Sequence, residues 1–451
     1  MINMLLSSAA RDLQAKHIGA DVRFTGCSTD SRNIKTGEMF IALRGQHFDG
    51  HDFIDRARYS GAVAAMIETD TAASLPLLRV NDTRQAMGQL AGMWRNAFNL
   101  QLIAVTGSNG KTTVKEMLAS ILSLQAPVLA TPGNLNNDIG VPLTLFNIGL
   151  EHRYAVIEMG ANHPGEIAYL SKLARPDIAV ITQCAPAHLE GFGSVDGVAR
   201  AKAEIFSGLR GTGVAIINAD DHYAQYWRKQ TRALKQLSFG FTDQADVTAT
   251  SVHMDGGSGC FQFHLVTRKG DIDIALNLPG RHNVQNALAA AACALALDIP
   301  ADLIKTGLER TRASKGRLQL KHGIAGARLF DDTYNANPVS LEVAMVLVAN
   351  QGGRYWLVLG DMGELGTDAG ELHLQAGERA RELGFEKLYA LGQLSGKAVD
   401  GFGGGARLFS DADSLIKSLR QELARDVTLL IKGSRAMKME NIVNALVEVN
   451  C

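Results

Sequence analysis

The chain has almost no net charge and no long hydrophobic run. Its 451 residues carry a formal net charge of −1, so bulk electrostatic attraction to nucleic acid or to a membrane surface is not expected. The longest apolar stretch, 287–297, is rich in alanine and too short to span a bilayer. The first residues show no basic segment followed by an apolar one. We therefore expect a cytoplasmic protein that neither binds nucleic acid nor inserts into a membrane.

Cysteine is also scarce, and no two cysteines stand at C-x-x-C spacing. An odd and scattered set is typical of a protein in a reducing compartment, which agrees with a cytoplasmic location. The five residues are Cys27, Cys184, Cys260, Cys293 and Cys451.

The length of the chain suggests roughly three domains of about 150 residues each. Residues 1–84 have the pattern of a small α/β unit. Strands and helices alternate from 102 to 220, which predicts a doubly wound, mostly parallel sheet, and the period changes to antiparallel strands over 246–278. After a short linker, strands and helices alternate again to the end. The sequence therefore predicts an α/β protein of three domains, 1–84, 85–314 and 315–451, of which the last is Rossmann-like.

The segment 102–115, LIAVTGSNGKTTVK, carries the strongest motif. A buried strand, a glycine-rich turn, a Lys-Thr pair and a helix together build a phosphate cradle. The glycines let backbone N–H groups point at an anion, and the helix N-terminus adds partial positive charge. The first glycine of the usual pattern is replaced by Val105, and an ordinary glycine-rich turn is the alternative. The residues expected to hold phosphate are Gly107, Ser108, Asn109, Gly110, Lys111, Thr112 and Thr113.

Two side chains with catalytic chemistry follow predicted strands beside this loop. The strand 154–158 ends in Glu158, and the strand 178–182 leads into a segment with His188. Open α/β sheets gather ligands at the carboxyl ends of their strands, so Glu158 is a candidate magnesium ligand or water-orienting group. A solvent-exposed glutamate and a structural histidine are the alternatives.

Two helices of the central part carry further polar residues. Lys202 lies on the predicted helix 198–207, where the pattern alone indicates a solvated charge. Asn283 precedes the predicted helix 284–297 and could cap it.

Several polar loops follow predicted strands and offer further ligand groups, although the three loops before residue 143 could be ordinary turns. The segment 432–435 is expected to start the last helix and so to provide another anion-binding N-terminus. The loops are 27–32, 44–51, 131–142, 331–338 and 432–435.

These motifs occur together, and in order, in one family. Over its full length the chain resembles the Mur ligases, the ATP-dependent amide-forming ligases of peptidoglycan precursor synthesis. The shortened glycine loop is normal in that family. The motifs STDSR, GQHFDGHDF and GNLNNDIGVP most resemble the member that acts on UDP-N-acetylmuramoyl-tripeptide and D-alanyl-D-alanine, and the Asp-Asn-Pro-Arg motif of the neighbouring member is missing. The motifs shared with the family are TGSNGKTT, AKAEIF, LPGRHNVQNALAAAA, DDTYNANP and KGSR.

The resemblance implies a reaction and its cofactors. ATP would activate the terminal carboxylate of the tripeptide as an acyl phosphate, the dipeptide amine would attack it, and ADP and phosphate would leave. One or two magnesium ions would be held by Thr112, Glu158 and His188. Lys202 resembles a lysine that is carbamylated in several members. The implied catalytic residues are Lys111, Glu158, His188 and Lys202.

The resemblance also implies binding roles for other residues. Asn283 would contact adenine, and Arg317 and Asp332 would clasp the nucleotide. The first domain would hold the uridine nucleotide, and a monomer is expected. The implied substrate-binding residues are Ser28, Thr29, Asp30, Ser31, Arg32, Gly45, Asn134, Asn137, Tyr334, Asn335, Lys432 and Arg435.

Two other functions compete with this interpretation. A Mur-type or folylpolyglutamate-type ligase for a different amine is the first, but the folate branch lacks a domain for a uridine nucleotide. A nucleotide switch or ATP-dependent binding protein is the second, and it gives no account of two further α/β domains lined with polar turns.

Overall fold

The structure, a computed structural model, describes residues 1–186, 189–255 and 260–448. Each of its three parts is built around a β-sheet with helices packed on it, as predicted. Within the described residues, no helix is long and apolar enough to cross a membrane.

The first part holds a small mixed sheet in the order β2-β7-β6-β5-β4, with β1 and β3 paired beside it. A short 3₁₀ helix, Gly50–Phe53, precedes α2. The strands are β1 (Met4–Leu5), β2 (Lys16–Ile18), β3 (Arg23–Phe24), β4 (Cys27–Ser28), β5 (Met39–Ile41), β6 (Ala64–Ile67) and β7 (Leu77–Arg79). The helices are α1 (Leu6–Leu13), α2 (Ile54–Tyr59) and α3 (Thr83–Asn96).

Helix α3 joins the first part to the second. It begins after Asp82, whose carboxylate accepts a hydrogen bond from the Gln85 N–H at 2.9 Å, as an N-cap residue should. One continuous core contains Met66 of the first sheet, Leu90 of α3 and Ala104 of the next sheet. The first two parts are therefore packed together through shared apolar contacts.

The central sheet has the order β16-β15-β14-β13-β12-β11-β8-β10-β9. The strands are β8 (Gln101–Thr106), β9 (Val128–Ala130), β10 (Tyr154–Glu158), β11 (Ile178–Ile181), β12 (Val214–Asn218), β13 (Lys235–Phe239), β14 (Val247–Met254), β15 (Cys260–Thr267) and β16 (Ile272–Pro279). The helices are α4 (Lys111–Ser123), α5 (Gly140–Leu145), α6 (Glu166–Ala174), α7 (Leu189–Phe192), α8 (Val195–Ala203), α9 (Ala224–Gln230), α10 (Arg281–Ala296) and α11 (Ala301–Arg310). A 3₁₀ turn, Glu204–Gly208, continues α8.

The central sheet confirms the predicted change of period. Strands β8 to β13 pair in parallel, and β14, β15 and β16 pair antiparallel. A parallel pairing of β13 with β14 makes both halves one sheet. The parallel strands read as apolar runs because helices cover both of their faces.

The third part is a Rossmann-like sheet in the order β17-β18-β22-β19-β20-β21, in which only β17 pairs antiparallel among the described strands. The strands are β17 (Gln319–His322), β18 (Arg328–Asp332), β19 (Arg354–Gly360), β20 (Lys387–Leu391), β21 (Ala406–Phe409) and β22 (Val427–Lys432). The helices are α12 (Pro338–Ala349), α13 (Ala369–Glu382), α14 (Gly396–Phe402), α15 (Ala412–Glu422) and α16 (Glu440–Leu446), with 3₁₀ turns Ile324–Gly326, Gly366–Asp368 and Arg435–Met437.

Two predicted helix starts are wrong. Lys432 is the last residue of β22, and the last helix begins only at Glu440. Between them lies the 3₁₀ turn Arg435–Met437, which ends at Lys438, whose φ of +50° cannot continue a right-handed helix. Asn283 is not an N-cap, since α10 begins at Arg281 and Asn283 lies in its first turn. Its side chain instead donates to the Pro279 carbonyl at 2.7 Å.

Candidate functional site

The glycine loop between β8 and α4 is held tightly by its neighbours. Gly107 has a φ of +150°, and a Cβ there would lie 1.9 Å from Thr182 Oγ1. Gly110 has a φ of +83°, and its Cβ would lie 2.3 Å from Asn286 Oδ1. Both positions need glycine, on conformation and on space. The loop is therefore a shaped backbone cradle at the carboxyl end of β8.

The two residues that open α4 face a buried carboxylate. Lys111 Nζ donates to the Gly107 carbonyl at 2.7 Å, and Thr112 Oγ1 donates to Glu158 Oε2 at 2.9 Å. Burial lowers the pKa of Lys111, partly opposed by Glu158. Glu158 is 1% exposed, so the alternative of a solvent-exposed glutamate is wrong. A cation, a hydroxyl and a carboxylate thus meet beside the loop.

Three polar residues that were not predicted as site residues hold Glu158 and its strand in place. Asn136 Nδ2 donates to Glu158 Oε1 at 2.8 Å, and the Glu158 N–H donates to Thr131 Oγ1 at 2.9 Å. Buried Lys115 donates to the Thr131 carbonyl at 2.8 Å. The only signal for Asn136 was its place in an asparagine-rich loop, and nothing in the sequence distinguished it from Asn134.

Lys202 is buried at 1% exposure, so the prediction of a solvated charge from the helical pattern is wrong. Helix α8 packs inward, and Lys202 Nζ lies 5.7 Å from the centre of the Phe192 ring. Burial lowers the pKa of Lys202 to about 7, and the nearby charge of Lys111 contributes to the lowering. Within the described ranges no carboxylate forms an ion pair with it. His188, also expected here, lies outside the described residues.

The third part contacts the loop directly. Arg317 Nη2 donates to Thr112 Oγ1 at 3.1 Å, and its guanidinium carbon lies 4.0 Å from the centre of the Tyr334 ring. Asn337 Nδ2 donates to Asn109 Oδ1 at 2.9 Å. The stack on Tyr334 gives Arg317 a defined direction, so the phosphate loop is covered by side chains of the third part.

Asp332 and Lys432 form a buried ion pair that also bonds the backbone of two neighbouring segments. Lys432 Nζ donates to Asp332 Oδ2 at 2.5 Å and to the Asn335 carbonyl at 2.9 Å. Asp332 Oδ1 accepts from the Leu318 N–H at 3.1 Å. This pair therefore holds the linker next to Arg317 in place.

One cleft of about 780 Å³ brings most of the predicted residues together. The first part contributes Gln46, next to the predicted Gly45, and Arg84. The predicted residues that line the cleft are Ser108, Asn109, Gly110, Lys111, Thr113, Asn134, Asn137, Glu158, Lys202, Asn283, Arg317, Asp332, Tyr334, Asn335 and Lys432.

Some predicted substrate-binding residues do not line this cleft. The loop from Ser28 to Arg32 stands apart, and Asp30 pairs with Arg32 at 2.9 Å, which holds the pKa of that carboxyl well below its usual range. Arg435 pairs with Glu440 at 2.8 Å. Asn137 lines the cleft but also accepts from the Gly140 N–H at 2.8 Å at the start of α5, so its capping alternative is also correct.

The fold and the site define an α/β nucleotide-binding protein whose phosphate loop faces a second α/β unit. Sequence models of protein families match the chain in three places: the Mur ligase family catalytic domain over 23–95, the Mur ligase middle domain over 105–294, and the Mur ligase glutamate ligase domain over 316–435. The chain belongs to the Mur ligase family, which confirms the resemblance drawn from its motifs.

Individual relatives match over nearly the whole chain. The UDP-N-acetylmuramoyl-tripeptide–D-alanyl-D-alanine ligase of Escherichia coli (strain K12) is 43% identical over 451 residues, 99% of both proteins. A crystal structure of MurF from Acinetobacter baumannii is 37% identical with a TM-score of 0.92, over 98% of both chains. MurF ligase from Thermotoga maritima in complex with ADP is 28% identical with a TM-score of 0.82, over 93% of this chain and 96% of that one.

Asn136→Ala tests whether the amide orients Glu158. With Glu158 as a predicted magnesium ligand, we expect a roughly 10- to 100-fold loss of ATP turnover, the range for residues that orient a metal ligand. The loss is measured from the initial rate as magnesium is titrated. Asn147→Ala is the control. It removes a comparable side-chain hydrogen bond outside the cleft, from Asn147 Nδ2 to the Leu143 carbonyl at 2.8 Å, and should leave the rate unchanged. A normal magnesium titration of Asn136→Ala would contradict the assignment.

Proposed function

We propose that this chain is an ATP-dependent ligase that joins D-alanyl-D-alanine to UDP-N-acetylmuramoyl-tripeptide and gives the pentapeptide precursor of peptidoglycan. The observation that carries the proposal is the single cleft shared by all three parts, lined by Gln46, Lys111 and Tyr334. A reaction of a nucleotide-sugar peptide, ATP and a dipeptide needs three binding regions that converge on one point. The names and the full-length match of the relatives support this substrate set.

Lys111 and Arg317 supply the positive charge for the first chemical step. The tripeptide carboxylate and ATP are both anions, so their approach needs fixed cations in a site that excludes water. Lys111 Nζ donates to loop carbonyl groups and can exchange these for phosphate oxygens. Arg317, held over Tyr334, reaches the same point from the opposite wall. The acyl phosphate would then form between the loop and the third part.

Thr112 and Glu158 fit a magnesium ion. Their oxygens are 2.9 Å apart, and hydroxyl and carboxylate oxygens are hard donors of the kind that magnesium prefers. Among the described residues no cluster of three or more His, Cys, Asp or Glu side chains could hold a metal alone. Phosphate oxygens of ATP would complete the coordination, and His188 is proposed as a further ligand. When bound, magnesium neutralises developing phosphate charge.

We infer that Lys202 is carbamylated. A neutral amine is needed, because its nitrogen lone pair attacks the carbon of CO₂ and a proton is released as the carbamate forms. With a pKa of about 7, a large fraction of Lys202 is neutral at neutral pH. The product is an anion, so it replaces the repulsion between Lys202 and Lys111 with attraction.

The three parts would divide the substrates between them. We propose domain boundaries at 1–84, 85–314 and 315–451, with the uridine nucleotide, ATP and the incoming dipeptide held by the first, second and third. The loop from Ser28 to Arg32 and Gly45 would contact the uridine nucleotide. Asn283 would contact adenine, and Asn335, Lys432 and Arg435 would act at the dipeptide side. The proposal includes a monomer that works in the cytoplasm and serves cell shape and division through the cell wall.

Phosphate release from ATP tests this function. UDP-N-acetylmuramoyl-tripeptide and D-alanyl-D-alanine are added separately and together, with magnesium present. Release only with both is the expected result. Release that depends instead on a diamino acid and the shorter UDP-linked peptide would make the chain the neighbouring ligase of the family. Release indifferent to every acceptor would reject the ligase and favour a nucleotide switch.

A further inference from the structure

Asn337 links the third part of the chain to the phosphate loop. It precedes α12, where its Oδ1 accepts from the Ser340 N–H at 2.8 Å while its own N–H donates to Ser340 Oγ at 3.1 Å. This reciprocal pair is a capping box. Oδ1 and Nδ2 are both bonded to Cγ and point in different directions. Because the cap holds Oδ1 at the N-terminus of α12, Nδ2 points away from the helix.

The outward Nδ2 determines how the Asn109 side chain is oriented. Asn337 Nδ2 donates to Asn109 Oδ1 at 2.9 Å, and an NH₂ group can only donate. Asn109 must therefore present its oxygen to Asn337 and keep its own Nδ2 on the other side. Its backbone is fixed as well, since the Asn109 carbonyl accepts from Thr182 Oγ1 at 2.5 Å.

The Nδ2 atom of Asn109 is buried and has no hydrogen-bond partner among the described residues. Buried donors are nearly always paired in proteins, so an unpaired one needs an explanation. Asn109 lies between Ser108 and Gly110 in the phosphate loop, and all three line the cleft. A donor left unpaired at this place suits an anionic oxygen of a nucleotide.

We propose that Asn337 is a positioning residue that orients the Asn109 amide so that its Nδ2 donates to a phosphate oxygen of ATP. This inference rests on the proposed function for the identity of the nucleotide. It makes one phosphate donor of the central part dependent on a helix cap in the third part. The loop binds ATP fully only when the third part is in the position seen here.

Asn337→Ser separates the positioning role from the cap. Serine is as good an N-cap as asparagine, so α12 keeps its start, but serine has no NH₂ group to reach Asn109. We expect the KM for ATP to rise about tenfold, the range for one hydrogen bond to a charged group, while kcat changes less than twofold and the thermal midpoint stays the same. Asn337→Asp also keeps the cap but turns Asn109 Nδ2 toward itself, and should raise KM at least as much.

A double-mutant cycle with Asn109→Ala completes the test. If Asn337 acts through Asn109, the double variant Asn109→Ala, Asn337→Ser binds ATP no more weakly than Asn109→Ala alone. Asn350→Ser is the matched control. Asn350 does not line the cleft, and its side chain donates to the Val346 carbonyl at the other end of the same helix. It should behave as wild type.

Three results would overturn the inference: a wild-type KM for Asn337→Ser, fully additive effects in the cycle, or a fall of kcat and thermal midpoint together without a change in ATP affinity. Titration of each variant with a fluorescent ATP analogue gives affinity without turnover. Wild-type protein that binds the analogue but releases no phosphate with the two acceptors would reject the proposed function, and the titrations would still decide the role of Asn337.

Discussion

Lys111→Ala is expected to lower substrate-dependent phosphate release by roughly 100- to 1,000-fold, the range for loss of one preorganised electrostatic group. Lys111 starts α4 at the end of the glycine loop, where it is half-buried, donates to the Gly107 carbonyl and lies near Glu158. Lys115, the next lysine of α4, cannot replace it, because its Nζ donates to the Thr131 carbonyl. The measurement is the initial rate of phosphate release with ATP, magnesium and both acceptors.

Two further variants make the test specific. Lys111→Arg keeps the positive charge but replaces the compact ammonium group with a planar guanidinium group. Its rate should therefore lie between those of Lys111→Ala and wild type. Lys172→Ala removes an exposed charge from α6 and should match wild type. If Lys111→Ala retained more than about a tenth of the rate, the loop would not serve as the phosphate site of the reaction.

Lys202→Met is the second variant with a large expected effect, again a roughly 100- to 1,000-fold loss of rate. Methionine fits a buried site but cannot form a carbamate. In wild type the amine has a pKa of about 7, so it is mostly protonated below that pH and mostly neutral above it. With bicarbonate scarce, the rate should therefore rise as the pH increases through 7, and added bicarbonate should raise the rate.

Chemical rescue separates carbamylation from a structural role. Lys202→Ala leaves room for a small carboxylate such as acetate or formate, which would restore the missing anion and part of the rate. Lys202→Arg keeps a positive charge and cannot be carbamylated, so it should stay inactive. Full activity of Lys202→Met, or a rate independent of bicarbonate in wild type, would contradict the proposed modification.

Much of the fold was predictable because its signals are local. The strand at 154–158 and the strand at 214–218 match the structure to the residue, since runs of buried aliphatic residues need only neighbours on both faces. The start of α12 after Asn337 was predictable from a polar turn before proline. The start of the last helix was not, because the left-handed backbone of Lys438 separates it from the turn before it, and lysine gives no local signal for that conformation.

The roles of single polar side chains were predictable only in part. Lys202 has the pattern of a surface charge, and only the packing of α8 places it in the interior. Asn134 and Asn136 are two residues apart in one loop, yet only Asn136 reaches Glu158. Asp332 was expected at the nucleotide, and the structure adds its bonds to Lys432 and Leu318.

The α/β class, the order of the three parts, the phosphate loop and the family could all be predicted from the sequence, because they depend on short motifs and on the period of apolar residues. Which polar groups meet depends on the tertiary fold. Asn337 and Asn109 are 228 residues apart, and Arg317 and Thr112 are 205 apart. No periodicity relates such pairs, since each depends on how the second and third parts of the chain pack around the cleft.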